Sequence, residues 1–438
     1  MNYFLKSIYM VGIYATGAVT LLLPQLASGG SGGAEELLTV EHAVELALSE
    51  NPALAAQGAH AQAVRAIAPQ VGSLPDPILS LNALNLPLDS LSVSQENMTQ
   101  MQLGFSQAIP FPGKLALREG AANSLADAAE HNADEFRQQL RSRVKASWWN
   151  LFYLDRALET VARNKQLMRQ FIRIAESKYK VGKGLQQDVL LAQLELSKLH
   201  DIAISLKAAR KQQTASLNAL LNRPASRPVH LPQTVDESLP QLAEESVLAE
   251  QALTSRPLLS GQHKYIESAQ TRVALAEKDY YPDFNLGAAY GLRSGVNPAS
   301  GLSRPDFASI KLSMKLPFFT GTKQSSHLDQ RKAELARTQF SYQDAKDAVL
   351  AEVSQALAAY EKAREQGSLF KTGIIPQARL TVASMLAGYQ VNKVDFLNLV
   401  QAQVTLYNYE TQYWRALAEA NQSLAHLLAA MGKEHFNE

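Results

Sequence analysis

The chain repeats itself once. Asn51-Pro52-Ala53-Leu54 opens one helical stretch, and Arg256-Pro257-Leu258-Leu259 opens another 205 positions later. Leu74-Pro75-Asp76 returns as Tyr281-Pro282-Asp283 at an offset of 207, and Ile109-Pro110-Phe111 returns as Leu316-Pro317-Phe318 at the same offset. Tyr179, Val181, Lys183, Ala192 and Gln193 return as Tyr389, Val391, Lys393, Ala402 and Gln403 at 210. A slowly drifting offset marks a duplication with small insertions. Length alone would suggest two or three ordinary domains for 438 residues. The repeat instead divides the chain into residues 38–222 and 241–431, a Pro-rich bridge at 223–240 that reads as a linker or a surface wrap, and a tail at 432–438.

Each half has the same order: helix, alternating strand, loop, alternating strand, very long helices. The hairpins fall at 77–108 and 283–317, and the long helices at 113–222 and 321–431. From Gly113 to Lys180 there is no proline. At 1.5 Å per residue that stretch makes about 100 Å of helix. A break is expected near Gly373 and Pro376 on the corresponding outward run. Ordinary globular helices run three or four turns, so helices of this length must pack lengthwise on partners. Leu140, Val144, Trp148, Leu151, Leu154, Leu158 and Val161 recur at threes and fours. Leu399, Ala402, Leu406, Tyr409, Tyr413, Ala416, Ala420, Leu424, Leu427 and Met431 do the same, which is a coiled-coil seam.

Four segments alternate instead. Leu79, Leu81 and Ala83 form one apolar face, as do Met101, Leu103 and Phe105. Phe284, Leu286, Ala288 and Tyr290 form the third, and Ala308, Ile310, Leu312, Met314 and Leu316 the fourth. Alternation suits a transmembrane barrel, apolar to lipid and polar to a lumen. It also suits a soluble sheet packed on a core. Four strands cannot close a barrel, since roughly eight are needed. An open edge in lipid leaves backbone groups unsatisfied at several kcal/mol each. Strands that span a membrane therefore require oligomerisation, and three copies supply twelve. The loops Asn85 to Asn97 and Leu292 to Asp306, rich in Ser, Asn and Pro, would then face outward.

Composition excludes several classes. Forty-two Lys+Arg against 41 Asp+Glu leave no basic surplus for nucleic acid. A mean hydropathy of −0.15 argues against a bundle of membrane helices. There is no cysteine, hence no disulfide, thiolate site or lipid-modified N-terminal Cys. An anchor of that kind is not expected. Lys6, the apolar run Val11 to Leu23, and Ala27-Ser28-Gly29-Gly30 read as a secretory signal over 1–29. Nine scattered histidines include no pair at ligand spacing, so no metal site is expected. No Ser/His/Asp arrangement, carboxylate cleft or phosphate loop is visible. An enzyme is not expected, nor a cofactor.

Signal, duplicated halves, the paired tips Tyr179-Lys180-Val181-Gly182 and Ala387-Gly388-Tyr389-Gln390-Val391, and Pro-Phe-Pro-Gly-Lys at 110–114 together resemble the TolC-like outer-membrane efflux family. The resemblance covers about Leu38 to Met431 and rests on their order rather than on one motif. It implies a mixed α/β membrane channel, a homotrimer with a 12-stranded β-barrel in the outer membrane continued by an α-helical barrel across the periplasm. Such a channel is a passive exit duct for metal ions or small toxic compounds. Its implied partners are a periplasmic adaptor and a proton-driven inner-membrane pump of the resistance-nodulation-division type. Leu-Pro-Asp-Pro and Pro-Phe-Pro-Gly-Lys look most like the heavy-metal branch. The competing reading is a structural periplasmic coiled-coil protein with soluble hairpins.

The resemblance assigns adaptor contacts to Val181, Gly182, Lys183, Val391, Asn392 and Lys393, although Gly182 and Asn392 also suit a left-handed turn by themselves. It places the periplasmic aperture at Asn398 and Gln401, neutral amides where the family often carries carboxylates. Asp188 stands at the matching position of the first half and would favour cations weakly; a plain helix-start carboxylate is the equal alternative. Asp395 reads as a helix cap. Lys311 and Lys315 lie on the polar strand face, towards a lumen, where they either tune ion preference or are simply solvated.

Overall fold

The computed structural model describes residues 37–435. The expected signal at 1–29 lies outside them. The first half opens with α1 (Val40–Glu50), α2 (Pro52–Arg65) and α3 (Ile67–Gly72). The hairpin β1 (Ile78–Leu84) and β2 (Gln100–Ile109) follows, then α4 (Lys114–Lys180) and α5 (Gln186–Leu220). The second half has α6 (Glu245–Ser255), α7 (Pro257–Glu277), β3 (Asp283–Leu292) and β4 (Phe307–Lys315). It ends with α8 (Ser325–Leu369), α9 (Ile375–Gln390) and α10 (Phe396–Met431).

α4 is 67 residues long, about 100 Å of unbroken helix. It is stable only because its apolar stripe is covered along its whole length. Near the sheet that stripe is alanine: Ala121, Ala122, Ala126, Ala128 and Ala129 are buried. Small side chains let α7 approach closely enough for Ser268 to donate to the Ala121 carbonyl at 2.9 Å and for Asn132 to donate to the Tyr265 hydroxyl at 2.8 Å. Lower down, Leu140, Val144, Trp148, Leu151 and Phe152 form a core with Leu217, Leu417 and Ala418. The Trp148 indole donates to the Leu38 carbonyl at 2.8 Å, which satisfies its one polar atom.

The bridge is a wrap, not a free linker. Val229 and Leu231 are buried in that same core. Leu38 donates to the His230 carbonyl, and Arg210 to that of Val229. Further along, the Glu237 carboxylate accepts from both Lys371 and Tyr413 at 2.5 Å.

The expected break near Gly373 and Pro376 takes a particular form. Phe370–Ile374 is a π-turn within a helix that continues on both sides, and Pro376 follows it directly, so the widened turn is where the helix accommodates a residue with no N–H. A second π-turn, Thr320–Gln324, starts α8.

The four strands form one antiparallel sheet in the order β1-β2-β3-β4. Leu81 stands opposite Leu103, Leu103 opposite Tyr290, and Tyr290 opposite Ala308. Each row of partners shares a face, so the period-2 pattern becomes one apolar sheet face and one polar face. Leu79, Leu81, Leu103, Phe105, Leu286, Tyr290, Ile310 and Leu312 are all exposed. Among the described residues, none of the buried apolar clusters includes a strand residue. Nothing in the described chain covers this face, and the outer edges of β1 and β4 have no partner strand there.

Candidate functional site at the paired helical tips

α4 and α5 meet at one tip, and α9 and α10 meet at another. At the first tip, Lys183 N–H reaches the Lys178 carbonyl at 2.9 Å and Gly182 N–H reaches that of Tyr179 at 3.0 Å. At the second, Lys393 reaches Gly388 at 2.9 Å and Asn392 reaches Tyr389 at 3.1 Å. These are the two bonds of a Schellman cap, made twice at the same offset. The cap requires a left-handed residue: φ is 71° at Gly182 and 62° at Asn392. Glycine and asparagine are the residues that take this conformation most readily. Val181, Lys183, Val391 and Lys393 flank them and are exposed.

Each tip also contains a close approach that sequence reading missed. A Cβ on Gly184 would stand 2.9 Å from Lys178 Cβ and 3.1 Å from Tyr179 N. The second tip has Val394 in place of Gly184, but Gly388 in place of Lys178; a Cβ there would meet Val394 Cγ2 at 2.6 Å. The small residue has changed sides while the fit has been kept. Gly184→Val is therefore expected to cost about 1–3 kcal/mol through overpacking. Adding Lys178→Gly, which copies the second tip, should recover part of it. Hydrogen-exchange protection of the Gly182 and Lys183 amides reads both effects.

The two tips are joined through Tyr389, which is 4% exposed. Lys178 Nζ, at the end of α4, donates to the Tyr389 carbonyl and lies 4.1 Å from its ring centroid. The Tyr389 hydroxyl donates to Asp188 Oδ2 on α5 at 3.1 Å. Its ring packs on Phe396, which meets Phe171 of α4 edge-on. Burial, with the Asp188 carboxylate beside it, pushes the Tyr389 hydroxyl well above an ordinary phenol. Asp188 is thus engaged inside the chain, in the first turn of α5. Asn398 and Gln401 lie one turn apart on α10, both exposed, and neither bonds Asp188. Asp395 occupies the N-cap position of α10, but its side chain makes no capping bond, contrary to expectation.

At the other end, Lys311 pairs in register with Gly287 and Lys315 with Asp283, on the polar sheet face. Asp283 also carries a connection that was not anticipated. Its Oδ1 accepts from Phe111 N at 2.8 Å and from Lys114 Nζ at 3.0 Å. Lys114 is 3% exposed and reaches Asp279 as well, at 3.3 Å. The Pro-Phe-Pro-Gly-Lys motif therefore ends in the ammonium that ties α4 to β3. Among the described residues there is no cluster of three or more His, Asp or Glu that could hold a metal ion. No described helix is long and apolar enough to cross a membrane.

An amphipathic sheet with open edges, continued by paired helical hairpins far longer than any globular core needs, defines a channel-forming membrane protein. The outer membrane efflux protein family model matches residues 43–223 and 248–433, one match per half, and the chain belongs to that family. CzcC of Cupriavidus metallidurans, a cobalt-zinc-cadmium resistance protein, is 20% identical over 90% of both chains. BepC of Brucella suis, an outer membrane efflux protein, is 25% identical over 65% of this chain and 61% of its own length, so that match spans under two thirds of it. The crystal structure of the outer membrane protein VceC from Vibrio cholerae superposes with a TM-score of 0.75 at 19% identity, covering 90% of this chain and 96% of that one. The fold is that of the TolC-like outer membrane channels.

Proposed function

We propose that three copies of this chain form an exit duct through the outer membrane, with twelve strands closed in lipid and the helices forming a barrel in the periplasm. The observation that carries this is the sheet: one continuous exposed apolar face, one polar face, and two unpaired edges. Closure between the edges of neighbouring copies satisfies every backbone group that an isolated sheet would leave open to lipid. The polar face, with Lys311 and Lys315, then lines the lumen.

The exposed tips at Val181, Gly182, Lys183, Val391, Asn392 and Lys393 are the surface for a periplasmic adaptor, which couples the duct to a proton-driven inner-membrane pump of the resistance-nodulation-division type. The duct itself conducts passively. The end-to-end match to CzcC supports metal ions as cargo; the multidrug resistance proteins among the relatives support organic compounds. At the tip end, Asp188, Asn398 and Gln401 border the aperture, and the Lys178–Tyr389–Asp188 bonds hold the two hairpins of each copy together beside it.

Planar-bilayer recording tests this reading. The purified protein should give ohmic steps with a weak preference for cations. Tyr389→Phe, which removes the bond to Asp188, should raise the conductance. A protein that inserts no channels contradicts the duct.

A further inference from the structure

α5 and α10 both pack along α4 and scarcely on each other, so a trough runs between them above the tips. Over residues 191–202 of α5 and 397–408 of α10 it deepens into a cavity of about 610 Å³. Leu191, Leu199 and Ile202 form one wall, and Leu397, Val400 and Val404 the other. Met168 of α4, itself 1% exposed, lies between them. Gln401, one of the aperture positions, stands on the α10 side.

One buried polar pair interrupts this apolar lining. Gln403 and Asn164 are each 3% exposed, and Gln403 Nε2 donates to Asn164 Oδ1 at 2.6 Å. Asn164 in turn donates to the Thr160 carbonyl at 2.9 Å. The side-chain carbonyl of Gln403 receives no hydrogen bond among the described residues, and it is not sealed away from the cavity. A buried amide acceptor in an apolar wall ordinarily has a donor. The charges at the rim leave nothing over, because Lys198 Nζ meets Glu195 Oε1 at 2.6 Å.

We propose that this cavity binds an uncharged organic molecule of drug size that carries an N–H or O–H donor. The donor meets Gln403 Oε1, and the apolar body lies between the two walls. Three observations choose this occupant. The volume is that of a small-molecule pocket, whereas two turns of a partner's helix, about 10 Å across and about 11 Å long, would not fit. The walls offer no unpaired charge to an ion buried between them. The group left unsatisfied is an acceptor, so the ligand must donate. Beside the aperture of a duct, such a cavity is a resting place for organic cargo, and that role rests on the duct proposed above.

The probe is N-phenyl-1-naphthylamine, an apolar fluorophore with one N–H; 1-phenylnaphthalene, which lacks it, is the competitor. The full chain in lipid nanodiscs, with the signal of empty nanodiscs subtracted, should bind the probe saturably. It should hold the probe about 10-fold more tightly than the competitor, the worth of one hydrogen bond. Gln403→Leu should remove that preference and leave the two compounds bound alike. Ile202→Phe with Val404→Trp, which keeps the amide pair and fills the cavity from both walls, should abolish the binding of both. Gln193→Leu, exposed on α5 outside the cavity, should change neither. No saturable binding to the wild type, or an unchanged preference in Gln403→Leu, overturns the proposal. In planar bilayers the probe should lower the current of the wild type and not that of the filled variant. Intact binding with an unchanged wild-type current overturns the cargo role. Saturable binding by a chain that inserts no channels leaves the site standing and overturns the duct alone.

Discussion

Glu135→Ala is expected to destabilise the fold by about 3–5 kcal/mol, the cost of stranding one member of a buried ion pair. Glu135 on α4 and Arg256 at the start of α7 are both 5% exposed. Arg256 Nη2 meets Glu135 Oε1 at 3.0 Å, and Nε meets it at 3.3 Å. The remaining nitrogen, Nη1, reaches Glu352 at 2.5 Å, but that carboxylate is half exposed. Burial works against the charge on Arg256, and the two carboxylates outweigh it, so the guanidinium is held above its ordinary pKa.

The duplication explains what the pair is for. In the first half, Asn51 caps α2 by accepting from Ala53 N at 2.9 Å and Leu54 N at 3.1 Å. Arg256 stands at the corresponding position before α7, and arginine has no acceptor. Glu135 supplies one from α4, accepting from Leu258 N at 3.3 Å. The double change Glu135→Leu with Arg256→Asn should therefore recover most of the loss, because the asparagine introduced before α7 would cap its own helix as Asn51 does. Thermal unfolding followed by near-ultraviolet circular dichroism compares the three proteins. A single variant as stable as wild type would remove the pair from the forces that hold the two halves together.

The second large effect depends on which side of one strand is changed. Ile310 lies mid-strand on the apolar face, and its neighbour Ser309 lies on the polar face; both are exposed in the single chain. In a soluble protein, arginine at either site would be nearly neutral. In a barrel, Ile310→Arg places a charge near the centre of the bilayer, at a cost of about 2–4 kcal/mol. Ser309→Arg enters the lumen, where water meets it. Equilibrium refolding into lipid vesicles should separate the two variants by that amount. Equal midpoints would mean that the apolar face does not meet lipid.

How much of this was legible in the sequence follows from the range of each interaction. Strand alternation and helical seams are local periodicities, and they placed β1, β3, β4 and α4 within a residue or two, while β2 runs on to Ile109, past the alternation that ends at Phe105. The tip caps were legible because Gly182 and Asn392 are residues that a left-handed turn selects by itself. The tyrosine junction was not. Tyr389 meets Asp188 across 201 positions and Lys178 across 211, and no local pattern requires either contact. The swapped pairs Lys178/Gly184 and Gly388/Val394 could have been found by aligning the two tips residue by residue, since each tip has one small residue and on opposite sides. The π-turns left only weak traces. Gly373 and Pro376 marked the place of the interruption, but a locally widened helix carries no composition of its own.

That the chain is one third of a membrane duct is decided by the mass of the detergent-extracted particle. Multi-angle light scattering, with the detergent contribution subtracted, should return three chains per particle, and the protein should resist release from membranes by salt or carbonate. A single chain per particle, or release without detergent, would contradict the duct and return the long helices to a soluble coiled coil.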